Sequence, residues 1–162
     1  MKDLVDDESA VSVSVGFIIT FSVTAIVLVL VMNSFFVMMN QTEDGVTRDE
    51  FEMYGSMISS KLSAMDNLIY IAEVNGGEIG ELKYELKLPL KIAGNYYSVH
   101  VLSEDSEILF VSEGISGTMV SVPYSVNSAD VAPTDLYISG NKIYLVYSPS
   151  NNSENYIEMQ QQ

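Results

Sequence analysis

Cysteine is absent from the chain. A disulfide framework and a thiolate metal site are therefore both excluded. Histidine occurs once, at position 100. Cations are scarce, with seven Lys and Arg against 22 Asp and Glu, a formal charge of −15. That balance argues against a nucleic-acid binder, because phosphate recognition needs clustered cations. No polybasic stretch flanks the apolar run described next, which argues against docking on an anionic lipid surface. The acid surplus suits a solvated exterior or a salty medium.

Charge is missing altogether from residues 9–40, where Val, Ile, Leu, Phe, Met and Ala predominate. A bilayer core is crossed by about 20 apolar helical residues, so this run is long enough to span it. A cleaved signal peptide has a basic start and an apolar core of roughly 7–15 residues. Here residues 1–8 are acidic, with Asp3, Asp6, Asp7 and Glu8, and the run is longer. The expectation is a retained anchor. Lys2 before the run and Arg48 after it leave the positive-inside count nearly tied. The glycosylation triplets Asn40-Gln-Thr42 and Asn151-Asn-Ser153 lean the C-terminal part outward. Ser9, Ser12 and Ser14 with Gly16 give the first turns a small-residue face, of the kind that lets helices approach closely in lipid.

Residues 41–45, Gln-Thr-Glu-Asp-Gly, read as a polar break. Thr47 and Glu50 then match a capping box, with Asp49 and Glu50 suited to a helix N-terminus. Phe51, Tyr54, Ile58, Leu62, Met65 and Ile69 follow at spacings of three and four, which predicts a second, amphipathic helix covering a sheet. Asn75-Gly-Gly77 would end it in left-handed geometry. The period then falls to two. Strands are predicted over residues 82–88, 96–102, 106–112, 118–122, 135–139, 142–147 and 156–159. Gly140-Asn141 reads as a hairpin turn, Gly114 and Gly117 bracket another turn, and the Gln tail is expected to fray. The fold class is α+β. A long N-terminal transmembrane helix and a second amphipathic helix precede a small antiparallel β-sandwich or curled sheet of about five to seven strands. The parts are residues 1–8 (acidic segment), 9–40 (transmembrane helix), 41–75 (break and amphipathic helix) and 76–162 (β-rich domain).

No catalytic, cofactor or metal residues are assigned. His100 alternates with Val99 and Val101 and has no second ligand nearby in sequence, so it reads as a surface histidine. A Ser-His-Asp triad lacks a G-x-S-x-G elbow to support it. Glu104, Asp105 and Glu107, like the N-terminal acids, do not match an EF-hand and read as solvated charge. The glycine pairs near 76 and 114–117 lack the lysine and following helix of a phosphate loop. The ten tyrosines, among them Tyr96, Tyr97, Tyr137, Tyr144 and Tyr147, suit a half-buried β surface as well as a binding face.

Asp7-Glu-Ser-Ala-Val-Ser12 with Val15-Gly16, ahead of the long apolar run, resembles the opening of archaeal type IV pilin-like membrane proteins. Leu88-Pro-Leu-Lys-Ile-Ala-Gly-Asn-Tyr-Tyr-Ser-Val99 is similar to a segment of uncharacterised archaeal relatives with this architecture. The resemblance covers the helical region and the first strands and fades after Leu102. It implies a helix anchored in, or assembled from, the membrane, with a β-rich domain outside. Prepilin-peptidase sites carry a basic residue and a Gly or Ala before the cleavage point. Asp6, Asp7, Glu8 and Ser9 stand there instead. The expectation is a non-enzymatic, single-pass membrane-anchored surface protein of the pilin-like accessory kind. Its partners would be membrane lipid and other pilin-like proteins through the N-terminal helix, with no nucleic acid and no small-molecule substrate. A processed pilin- or archaellin-like filament subunit is the alternative. An envelope enzyme or solute-binding domain would be marked by a concave pocket with converging polar groups.

Overall fold

The computed structural model describes residues 3–77, 79–114, 117–149 and 156–162. It is α+β, and the described residues form one helix, α1 (Asp3–Val74), followed by eight strands. The chain divides into two compact units, Met1–Thr42 and Glu43–Gln162.

In the first unit three hydroxyls of the helix bond back to its own carbonyls. The hydroxyls of Thr20, Ser22 and Thr24 donate to the carbonyls of Gly16 (2.9 Å), Ile18 (2.7 Å) and Thr20 (2.8 Å). Back-bonding of this kind lets Ser and Thr sit in an apolar helix.

The expected break at residues 41–45 and the separate second helix are not present, because all of these residues are helical. Thr47 does not cap. Its hydroxyl donates to Glu43 O at 2.8 Å, one turn back, as Thr42 does to Met38 O at 2.9 Å. A lone Gly in a helix costs only about 1 kcal/mol, and no proline interrupts the ladder. The polar residues that read as a loop make tertiary contacts instead. Glu43 accepts from the Asn95 side chain at 2.5 Å, and Asp44 accepts from the Thr118 hydroxyl at 3.1 Å. The predicted terminus does form. Gly76 takes φ +70°, and Gly77 and Gly76 donate to Ala72 O (2.9 Å) and Glu73 O (3.0 Å), closing the last turn.

The strands are β1 (Leu82–Leu86), β2 (Tyr97–Leu102), β3 (Glu107–Ser112), β4 (Met119–Pro123), β5 (Asp130–Val131), β6 (Thr134–Tyr137), β7 (Ile143–Ser148) and β8 (Tyr156–Gln161). They form two four-stranded sheets, β1-β7-β8-β5 and β4-β3-β2-β6. Eight strands replace the expected five to seven, and the added β5 pairs parallel to β8, so the first sheet is mixed. No β6–β7 hairpin forms. β6 pairs with β2, as in Ser98 opposite Tyr137, whereas β7 pairs with β1 and β8. Gly140 still turns the chain, at φ +87°, but it carries it from one sheet to the other. Leu136 and Ile138 are buried before the turn and Ile143 and Leu145 after it. The glutamine tail is paired rather than frayed. Gln162 exchanges backbone hydrogen bonds with Lys142 (2.9 and 3.1 Å) and accepts from the Lys83 ammonium at 2.8 Å.

The core lies between α1 and both sheets. Phe51, Ile58, Leu62, Met65 and Ile69 are buried to 1% exposure or less, and Tyr54 is partly buried, as the helical period requires. The rings of Phe51, Tyr97 and Phe110 meet with centroids 5.2–6.2 Å apart. Gly55 lies in the same stripe and lets the helix approach β3 and β4 closely. A Cβ there would fall 2.5 Å from Val122 Cγ2.

Candidate functional site

The apolar stretch of α1 is exposed along its length. The side chains of residues 12–42 are all exposed. Phe17, Phe21 and Val13 are 66–73% exposed, and Ile26, Leu30 and Phe35 about as much. Soluble monomers rarely expose more than a few hundred Å² of contiguous apolar surface. This helix is long and apolar enough to cross a membrane. Ser12 and Gly16 are exposed, and a Cβ on Gly16 would meet nothing within 4 Å, so the small face is open to a close neighbour. The acids Asp3, Asp6, Asp7 and Glu8 are helical. Their side chains and that of Ser9 lie outside the described residues, as does Asn151-Asn-Ser153. Asn40 is an exposed helical residue.

His100 is not a bare surface histidine. It is half-buried on the face of β2 opposite Val99 and Val101. Its Nδ1 lies 2.6 Å from Asp135 Oδ1, and its Nε2 lies 2.9 Å from Ser98 Oγ. Strand alternation puts Ser98 and His100 on one face, and the β2–β6 register sets Asp135 directly opposite His100. The order Ser–His–Asp is that of a hydrolytic triad. Two features argue against that chemistry. Ser98 is only 4% exposed. β2 is also paired on both sides through Ser98–Val101, so its backbone donors serve the ladders and none is left to form an oxyanion hole. What the arrangement does is tie edge strand β6 to the middle of the sheet.

A second polar cluster was missed by sequence reasoning. Ser59 and Ser63 donate to the carbonyls of Pro123 (3.0 Å) and Ser125 (3.1 Å). The buried Asp66 carboxylate accepts three backbone N–H groups, from Asn127 (2.9 Å), Ser128 (2.8 Å) and Ala129 (3.1 Å). Positions 59, 63 and 66 form one helical row beside the apolar stripe. Polar residues at that spacing were the available signal, but nothing local identifies the segment they hold.

Glu104 and Asp105 are exposed in the turn between β2 and β3, and Glu107 accepts from the Ser121 hydroxyl. Among the described residues no three His, Asp or Glu side chains come together as metal ligands. Gly117 N–H donates to Gly114 O at 3.1 Å, with Gly117 at φ +59°, and residues 115–116 of the expected turn lie outside the described residues. The tyrosines divide. Tyr97 and Tyr147 are core, and Tyr96 and Tyr137 are exposed. Lysines sit over three rings: Lys83 on Tyr144 (4.0 Å), Lys91 on Tyr96 (4.3 Å) and Lys61 on Tyr84 (5.2 Å). Burial pushes the phenols of Tyr97, Tyr124 and Tyr147 above their ordinary value, helped at Tyr97 by Tyr54 and Glu50 and at Tyr147 by Glu73. Comparison with protein-family models, with curated proteins and with solved structures gives no match.

Proposed function

We propose that the chain is a non-enzymatic, single-pass membrane-anchored surface protein of the pilin-like accessory kind. Its β-rich unit would face outward as an interaction domain. The observation that carries the reading is the uncharged stretch of α1, whose apolar side chains are exposed among the described residues. Lipid satisfies such a surface, and a helix is the form in which a single segment can enter lipid with its backbone hydrogen bonds made. The back-bonded hydroxyls of Thr20, Ser22 and Thr24 suit the same environment. The resemblance of residues 7–16 and 88–99 to archaeal pilin-like proteins supplies the word pilin-like.

A second reading is a processed filament subunit, in which packed copies of the helix replace lipid around the same apolar surface. The open small-residue face at Ser12 and Gly16 favours it. The acids before the run argue against pilin-type cleavage. Intact mass and N-terminal sequencing of protein purified from native membranes separate the two. A start at Met1 or Lys2 is expected. A start near Ser9 to Ser12 would make the filament subunit the better account.

A further inference from the structure

An open cleft of about 460 Å³ lies beside the turn between β2 and β3, within the unit formed by residues 43–162. Small-molecule sites occupy about 300–1,000 Å³. Residues 103–106 form one wall, and the chain from Tyr124 to Val131 forms the other. Both walls are held in place. Tyr124 N–H donates to Ser106 O at 2.9 Å, and Ala132 N–H donates to Ile157 O at 2.8 Å. Asp66 holds the backbone of residues 127–129 from behind, and β5 is registered against β8. The cleft is therefore formed before any ligand arrives.

Its chemistry is one-sided. Glu104 and Asp130 line it, and no Lys, Arg or His does among the described residues. Neither carboxylate has an ion-pair partner among the described residues. The third group is Tyr124, which is only 6% exposed. Its hydroxyl makes no hydrogen bond to another described residue. Among the described residues no polar side-chain atom is both sealed from solvent and unpartnered, so that hydroxyl reaches solvent, and its residue lines the cleft. Burial raises its pKa, so it stays protonated at neutral pH. Val126 and Val131 add apolar surface to the lining.

We propose that this cleft binds a small aliphatic ammonium ion of the alkyl-diamine class. Glu104 and Asp130 take the charge, the Tyr124 hydroxyl accepts an ammonium N–H, and the alkyl chain lies along Val126 and Val131. A neutral ligand would desolvate two carboxylates without compensation, whereas an ammonium ion compensates them. A divalent metal lacks its donor set, because no third metal-ligating side chain joins these two. The proposal rests on residues 103–131 and is independent of how the chain is anchored.

The test uses the full chain in detergent micelles, titrated calorimetrically with 1,5-diaminopentane at fixed ionic strength. Saturable one-site binding is expected. Glu104→Gln and Asp130→Asn should each weaken it at least about fivefold, as expected for loss of a charged hydrogen-bond partner. Tyr124→Phe should weaken it by about twofold to tenfold and leave melting unchanged, because the hydroxyl has no partner to lose. Glu52→Gln, an exposed carboxylate on α1, should leave binding unchanged. The proposal is overturned by any of four results. These are heat that never saturates, equal binding in all three cleft variants, equal weakening by Glu52→Gln, or a saturable response to calcium chloride in place of the diamine.

Discussion

Gly55 and Gly45 lie ten residues apart on α1, and the same substitution should act with opposite sign at the two. In a helix interior, alanine is favoured over glycine by about 1 kcal/mol. At Gly55 the new Cβ would fall 2.5 Å from Val122 Cγ2, 2.8 Å from Val122 Cβ and 3.3 Å from Phe110 Cε2. Rotating Val122 about χ1 moves its Cγ2 but not its Cβ, so the helix must retreat from β4. Overpacking of this kind costs about 1–3 kcal/mol. It exceeds the helical gain, leaving Gly55→Ala destabilised by up to about 2 kcal/mol. At Gly45 nothing lies within 4 Å of the added Cβ, so Gly45→Ala keeps the helical gain and stabilises by up to about 1 kcal/mol. Thermal melting of the chain in detergent, followed by circular dichroism, reads both. The expected shifts are several degrees downward at position 55 and upward at 45, at about 2–8 °C per kcal/mol for domains near this size. A Gly55→Ala chain that melts at or above the parent would refute the close approach of α1 to the sheet. A Gly45→Ala chain that melts lower would refute helical continuity through residues 41–45.

Leu62→Asp places an uncompensated carboxylate at a fully buried position, so the β-rich unit should lose its cooperative melt while membrane insertion persists; an unchanged melt would count against the core. Asp66→Asn removes the charge and one of two acceptor oxygens that together take three N–H groups. It should cost about 1–3 kcal/mol, read as a lower denaturant midpoint at constant slope. Tyr97, Tyr124 and Tyr147 all have raised pKa values in the folded state. Their stabilising contribution is complete below the unfolded tyrosine value of about 10 and declines as pH rises above it, since the unfolded chain releases those protons first. Stability should therefore fall above pH of about 10, and less steeply in Tyr97→Phe, in denaturant titrations across that range.

Local features were legible in the sequence where they decide the outcome by themselves. The alternation of Leu82, Tyr84 and Leu86 located β1, and the stripe from Phe51 to Ile69 is the buried helix face. Misreadings arose where a local signal competed with a longer-range one. Thr47 and Glu50 match a capping box, but helix propagation through residues 41–45 wins, helped by the tertiary partners of Glu43 and Asp44. Gly140-Asn141 turns the chain as its residue types suggest, yet the partners of β6 and β7 are set by which sheet buries their apolar side chains. β5 is two residues long and pairs in parallel with β8, so neither its length nor its partner leaves a periodic trace. The Ser98–His100–Asp135 line needs a strand register, and the cleft lined by Tyr124 needs two loops brought together. Neither is a property of any short stretch of sequence.

The central claim is that the uncovered stretch of α1 holds this protein in a bilayer. Alkaline carbonate extraction of native membranes tests it most directly, with the parent chain beside Ile26→Asp/Leu30→Asp. A charge at the centre of a membrane helix costs about 2.5–3.5 kcal/mol on insertion scales, so two should weaken partition strongly. The account predicts that the parent remains in the membrane pellet and the doubly charged chain shifts to the supernatant. Release of the parent chain by carbonate would contradict it.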